Sequence, residues 1–456
     1  MSIIEELTKN VLDTSFESFD KDVVEQAKNR ILDAVGCTIG GANASGCGMI
    51  VDLVKRWGGE KESTILVHGG KAPVHNAAMV NCIMCRSYDF EPVGPYVYDM
   101  NIPAHISGTN VPTAISVAEQ NAASGKELIT ALILGDDLTS RILAASLYSF
   151  DLGWDGTGTV NMFGATAIAG RLMGLDERQM LNAFGLVFNR MAGSFQNLYD
   201  RVHCFKLLMG LSAQAGIVSA EMAAKGFTGI KDPLLSKYGY FGLYCQDYDP
   251  EILNRDLGRK FFADGTFKPY PACRSTHASI DSALQLVHTY DIEPGNIDKV
   301  TVNVDPATRD GFVGQPFEIR DVPQVDAAFS LQYTVANTLL RKSVRLEHFT
   351  EKYIRDQKIL DLIRKVEIKG SLPPDKRLTA EVEVMMKDGK KFSAYVDVPK
   401  GDTRYNPLTK EEIKDKFRAN VAFSQTVKKE NAEKTLGLIE ALEEVNNVTE
   451  IIKEIS

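Results

Sequence analysis

From Asp20 to Val35 the apolar residues Val24, Ala27, Ile31 and Ala34 return every three to four positions, acids crowd the first turn, and Gly40-Gly41 follow the run. That spacing predicts an amphipathic helix with its own start and stop signals. Periodic segments of the same kind span 72–88, 113–122, 125–147, 161–173 and 209–224, several of them rich in the small residues that let helices pack closely. A multi-helix unit is expected to about residue 265. After Phe267 strand-like alternation appears at 299–304, 366–368, 379–385 and 392–398, between helical patterns at 275–290 and 326–340. Asp388-Gly389 joins the last two runs as a hairpin turn. Helical periodicity returns at 410–419 and 431–444. The pattern predicts a mainly α protein: a helical domain beginning at 1–267, a smaller α+β lid domain over 268–400, and a helical C-terminal part, 401–456, docked back on the first.

Composition narrows the function classes. With 44% apolar and 24% charged residues among 456, the chain has globular composition. Its 51 Lys+Arg against 60 Asp+Glu leave a charge of -9, the wrong sign for neutralising phosphates, so no nucleic-acid partner is expected. Apolar runs such as 128–134 stop short of the ~18 residues a membrane span needs. The acidic opening does not read as a signal peptide, so no membrane partner and a cytoplasmic location are expected. Seven scattered cysteines suit reduced thiols.

The common cofactor motifs fail. Gly156-Thr-Gly158-Thr-Val-Asn161 lacks the third glycine and the preceding strand of a dinucleotide site, and Gly125-Lys126 is followed by Glu127 where a phosphate loop needs Ser or Thr. Cys82 and Cys85 have no second pair at zinc spacing and read as packing. No metal and no organic cofactor are expected.

Ionisable residues in unusual settings remain. Asp89 follows a long apolar helix and leads into Phe90-Glu-Pro-Val-Gly-Pro-Tyr-Val-Tyr98, a loop suited to edging a pocket. His105, in Pro103-Ala-His-Ile-Ser-Gly108, precedes the next helix, as either a cap or a functional group. Lys268-Pro-Tyr-Pro-Ala-Cys-Arg-Ser-Thr-His277 puts Lys268, Cys273, Arg274 and His277 at the inferred domain junction. The segment reads either as a rigid hinge or as a site in which a helix starting near Ser275 faces an anion; pockets favour such junctions.

These segments, with Arg30-Ile-Leu-Asp-Ala-Val-Gly-Cys-Thr-Ile-Gly-Gly-Ala42, Ser87-Tyr-Asp-Phe90, Phe163-Gly-Ala-Thr-Ala-Ile-Ala-Gly-Arg171 and Gly226-Phe-Thr-Gly229, resemble the MmgE/PrpD family over essentially the whole chain. The family includes 2-methylcitrate dehydratase, cis-aconitate decarboxylase and iminodisuccinate epimerase. The resemblance implies a large all-helical domain built from both chain ends with an inserted α+β lid, a homodimer, and catalysis without metal or organic cofactor. It carries active-site roles to Asp89, His105, Lys268 and, on a later lid helix, Tyr333. The family's Lys-x-Leu-His-x-Gly lysine falls on Phe205, one residue before Lys206, so Lys206 is its candidate, with Arg201 and His203 as weaker neighbours. Gly153-Trp154-Asp155 replaces a Gly-Phe-His motif of the decarboxylase, making Asp155 a candidate contact for substrate. Cys273 stands where the decarboxylase has histidine, and Glu91-Pro92 replaces the family's second acid.

The implied chemistry is proton abstraction α to a carboxylate of a small di- or tricarboxylate. Lys268, Lys206 and Arg274 would stabilise charge, His105 or Cys273 would move the proton, and Tyr333 would donate opposite. A 2-methylcitrate dehydratase-like dehydratase is the primary expectation. An epimerase using Cys273 as second base, a cis-aconitate decarboxylase-like enzyme and a catalytically silent carboxylate-binding protein are the alternatives.

Overall fold

The computed structural model describes all 456 residues and is mainly α-helical. The predicted first helix runs Lys21–Gly41 and is buried on almost every side from Ala27 onward. Its last glycine is required by packing: a Cβ at Gly41 would collide with the carbonyl of Met84, so the helix end lies directly on the helix Val74–Arg86. That contact seats the turn that carries Asp89. The helix Cys204–Ala224 packs on Val74–Arg86 and on Asn161–Leu172. It is the one helix long and apolar enough to cross a membrane by length and composition, and 61% of its apolar window is buried in the protein. The helix Lys410–Ser424, in the last part of the chain, lies along Lys21–Gly41, so early and late segments build the same helical layer.

A four-stranded sheet carries the strand-like runs read from the sequence. Its order is Val366–Lys369, Ile297–Asn303, Ala380–Met386, Lys391–Val396; the first pair is parallel and the others antiparallel. The helix His277–Thr289 packs on two of these strands and Leu331–Arg341 on Val366–Lys369. Alternation along Ala380–Met386 buries every second side chain, and Gly389 supplies the left-handed residue of the hairpin turn at φ 85°.

Three local expectations change. The pattern at 326–340 is two helices, Pro323–Ala328 and Leu331–Arg341, because the Ser330 hydroxyl accepts from Tyr333 N at 3.2 Å and starts a new helix there. Strand pairing is not confined to 268–400: within the expected loop, Val93–Val97 pairs antiparallel with Met100–Asn101 and Asp264–Thr266. The helix expected from Thr113 starts at Ser107, ahead of Pro112, because the Asp264 carboxylate takes the amides of Ile106 and Ser107 at 3.1 and 2.7 Å.

Candidate active site

The apolar helix Val74–Arg86 ends in a tight turn in which Asp89 adopts a left-handed φ of 49°, a conformation Asp tolerates better than most residues. The turn sets Asp89 and Glu91 against Arg86, the last residue of that helix. Arg86 Nη1 donates to Asp89 Oδ1 and, at 2.8 Å, to Glu91 Oε1. All three side chains are buried.

His105 enters from the opposite side. Its carbonyl accepts from Asn161 Nδ2 at 2.7 Å, and the Asp264 cap holds the two following amides, so the backbone is fixed on both sides of the ring. Its Nδ1 lies 2.7 Å from Glu91 Oε1. A carboxylate flanked by a guanidinium accepts, so the Nδ1 proton is assigned to that bond and Nε2 keeps its lone pair, 3.8 Å from Asp89 Oδ1. Burial, reinforced by the charges of Arg86 and Lys268, pushes the ring down to about 3 against the pull of Glu91. His105 is therefore a neutral imidazole with one free nitrogen. At 18% side-chain exposure it is also the most open member of the cluster.

Lys268 arrives on the segment following Asp264–Thr266, pinned where Phe267 N donates to Gly401 O at 2.9 Å. Its Nζ reaches Asp89 Oδ1 at 2.8 Å and Asp89 O at 2.7 Å. Burial pushes the ammonium down to about 7, with the Glu91 charge opposing, and the direct contact with Asp89 also favours the charged form. For Glu91, burial works toward neutrality, but Arg86 and His105 prevail and hold the carboxyl well below the usual carboxylate range. Beneath the cluster Lys416 bonds both Asp33 oxygens, at 2.9 and 2.7 Å, and the Phe90 carbonyl at 2.6 Å. Three buried atoms of the cluster have no partner: Arg86 Nε, Asp89 Oδ2 and Glu91 Oε2.

Asp89, Glu91 and His105 offer ligand atoms within 4.8 Å of one another, a metal-like composition. The inner carboxylate oxygens are engaged by Arg86 and Lys268 and His105 Nδ1 by Glu91, so this donor set is already paired with cations of the chain.

The other expected site residues divide. Lys206 lies in the first turn of Cys204–Ala224 and is buried, not in a loop; its Nζ bonds Ser45 O at 2.6 Å and Ser87 Oγ at 3.1 Å and sits 3.4 Å from Cys47 Sγ. It borders the turn that carries Asp89 without touching Asp89. Phe205, at the family-lysine position, places its ring 5.3 Å from the Arg86 guanidinium carbon. His203 Nε2 pairs with the Ser45 hydroxyl at 2.9 Å, and Arg201 is buried on the carbonyls of Asp326 and Phe312.

Asp155 is buried within electrostatic reach of Arg86, and its carboxylate caps the short helix Gly156–Thr159 through Thr157 N at 2.9 Å. Cys273 is buried among apolar side chains near Lys268, with no side-chain hydrogen bond. Arg274 Nη1 and Nη2 hold the carbonyls of Lys400 and Pro399 at 2.8 and 3.2 Å, with the carboxylates of Asp402 and Asp281 within electrostatic reach. His277 Nε2 lies on the Ala272 carbonyl at 3.1 Å. Both brace the junction. Tyr333 is not brought to the cluster; its hydroxyl donates to His348 O and its ring packs between Phe317 and Phe349.

Sequence reasoning passed over Arg86, Asp264, Asn161 and Lys416. Arg86 had a signal, as the lone cation closing an apolar helix three residues before Asp89. Lys416 had none, because a lysine in an amphipathic helix reads as surface charge.

Matches to known proteins agree with this layout. The MmgE/PrpD N-terminal domain matches residues 5–253 and the MmgE/PrpD C-terminal domain residues 270–443. The chain belongs to the MmgE/PrpD family. It is 25% identical over 448 residues to the cis-aconitate decarboxylase of Mus musculus, covering 93% of this chain and 87% of that one. It is 24% identical over 466 residues to a cis-aconitate decarboxylase of Aspergillus terreus, with 96% and 93% covered. A cis-aconitate decarboxylase-like protein of Aspergillus oryzae is 22% identical over 488 residues, with 100% and 97% covered. As a member of this MmgE/PrpD group, the protein is an enzyme of lyase type.

Proposed function

We propose that this MmgE/PrpD enzyme acts on a small di- or tricarboxylate by moving a proton at the carbon α to a carboxylate, and that its reaction is dehydration of a hydroxy acid. His105 Nε2 is the base. Its affinity for a proton is low because the ring is buried and has Arg86 and Lys268 beside it; a bound carboxylate adds negative charge there and raises it, so the base becomes effective with substrate in place. Lys268, protonated, stabilises the negative charge that develops on the substrate carboxylate and gives its proton to the departing hydroxyl as the C–O bond breaks. Water leaves, the proton taken by His105 returns to solvent, and Lys268 takes one back from solvent. Asp89 orients Lys268.

The observation that carries the dehydratase reading is the pair of buried acceptors without donors, Asp89 Oδ2 and Glu91 Oε2, beside the proposed base. A substrate hydroxyl satisfies such an acceptor; an unsaturated acid with ionised carboxylates brings no donor. Decarboxylation is the second reading, favoured by the cis-aconitate decarboxylases among the relatives. Proton NMR in deuterated water with citrate, 2-methylcitrate and cis-aconitate, run beside a carbon dioxide assay, separates the two. Loss of water from a hydroxy acid is expected, with deuterium appearing at the α-carbon of the recovered hydroxy acid as the step reverses; carbon dioxide released from cis-aconitate without any hydration or dehydration would replace this reading by the second.

We infer also a homodimer formed through the helical part, with 268–400 as the lid. The outer face of Cys204–Ala224 supports the first, with Leu211 41% and Met222 44% exposed and Leu207 and Val218 half-buried along the same stripe.

A further inference from the structure

Arg86 is the cation in contact with every carboxylate of the cluster, and half of its guanidinium is unused. Nη1 gives its two N–H bonds to Asp89 Oδ1 and Glu91 Oε1. Nε is buried without a partner, and no hydrogen bond of the structure involves Nη2. The free atoms form one edge of the fork, with two N–H bonds side by side in the spacing that matches the two oxygens of a carboxylate. The group is held in place by its two carboxylates and by the Phe205 ring. A buried N–H without a protein acceptor is unfavourable, and a fixed edge of this kind is explained when a ligand completes it.

We propose that the Nε/Nη2 edge of Arg86 is a binding subsite for one carboxylate of the substrate, taken bidentately beside His105. The inference rests on the carboxylate-lyase reading and adds to it a residue that neither fold nor motif assigned. Arg86 Nη1 lies 3.2 Å from His105 Nδ1, so a carboxylate on the far edge of the same guanidinium is presented within reach of the ring. Glu91 fixes both partners at once, bonding Nη1 and Nδ1 through the same oxygen, Oε1. Arg86 therefore couples recognition of the substrate's charge to the position of the base.

Tricarballylate, a tricarboxylate with no hydroxyl to lose, is the probe. Isothermal titration on the full chain compares wild type with Arg86→Lys, which keeps the charge and loses the fork, and with Arg86→Gln, which loses both. Binding, measured well below the melting temperature of each variant, is expected to weaken roughly 10-fold or more in Arg86→Lys and further in Arg86→Gln. In turnover Arg86→Lys is expected to raise KM far more than it lowers kcat, a split that a purely structural role would not produce. Equal binding by wild type and both variants overturns the subsite and leaves the lyase reading standing. A wild type that binds and turns over no di- or tricarboxylate removes both. Should the variants fail to fold, phenylglyoxal labelling of the wild type mapped by mass spectrometry decides. Tricarballylate is then expected to protect Arg86, and an Arg86 labelled equally with and without it, or inert in both, overturns the proposal.

Discussion

His105 has a free lone pair only because Glu91 takes its other nitrogen, and Lys268 has a labile proton only because it is buried. Replacing His105 by Ala is expected to lower kcat/KM by roughly 10²–10⁴, the usual worth of a general base, and Lys268→Ala to lower kcat by roughly 10²–10³. The pH dependence has a definite sign. Lys268 works protonated and loses its proton as pH rises through about 7, so kcat/KM should fall above that point. Lys268→Arg, permanently charged, should move the falling limb to higher pH even if its maximum is lower; a limb that stays put would mean another group titrates. Cys273 separates dehydratase from two-base epimerase. Lying among apolar side chains without a polar partner, it should tolerate Cys273→Ala with rates within about threefold of wild type, the effect of a small cavity and not of a lost base. Near-complete inactivation, prevented from alkylation by bound substrate, would restore the epimerase.

At the scale of elements, periodicity located helices and strands where one face is consistently buried, as in Ala380–Met386. It failed where a single side chain outside the pattern decided the outcome. Ser330 split one helix, and Asp264, far along the chain from His105, let another begin before its proline. The same limit governed the site. Asp89, His105 and Lys268 were legible because each sits next to a turn or junction, whereas Lys416 lies on a regular helix and gains its meaning from Asp33 on another. That pair also yields a stability prediction. With Asp33 buried, Lys416→Met removes the only cation bonded to it and should cost about 3–5 kcal/mol in urea unfolding, the range for breaking a buried pair from one side. A loss below about 1 kcal/mol, typical of exposed pairs, would show that the carboxylate accommodates on its own.

For the whole molecule, the fold class could be read from the order of patterns, but the partnership of copies could not, since an exposed apolar stripe has the same periodicity as a buried one. Light scattering is expected to give twice the chain mass at micromolar concentration. Leu211→Glu with Met222→Glu should shift it toward the monomer while leaving the helical signal intact; a dimer indifferent to both would place the interface elsewhere.

Asp33 and Lys416, bonded beneath the site, are 383 residues apart in the chain. At ordinary elongation rates a ribosome needs roughly 20–80 s to travel from one to the other. Throughout that interval the early helices exist without the ammonium that their buried acid and the Phe90 carbonyl bond, so the floor under Asp89 is complete only once Lys416 has been made. A product cut short before Lys416 would hold Arg86, Asp89, Glu91, His105 and Lys268 in its sequence and still lack the ion pair beneath them.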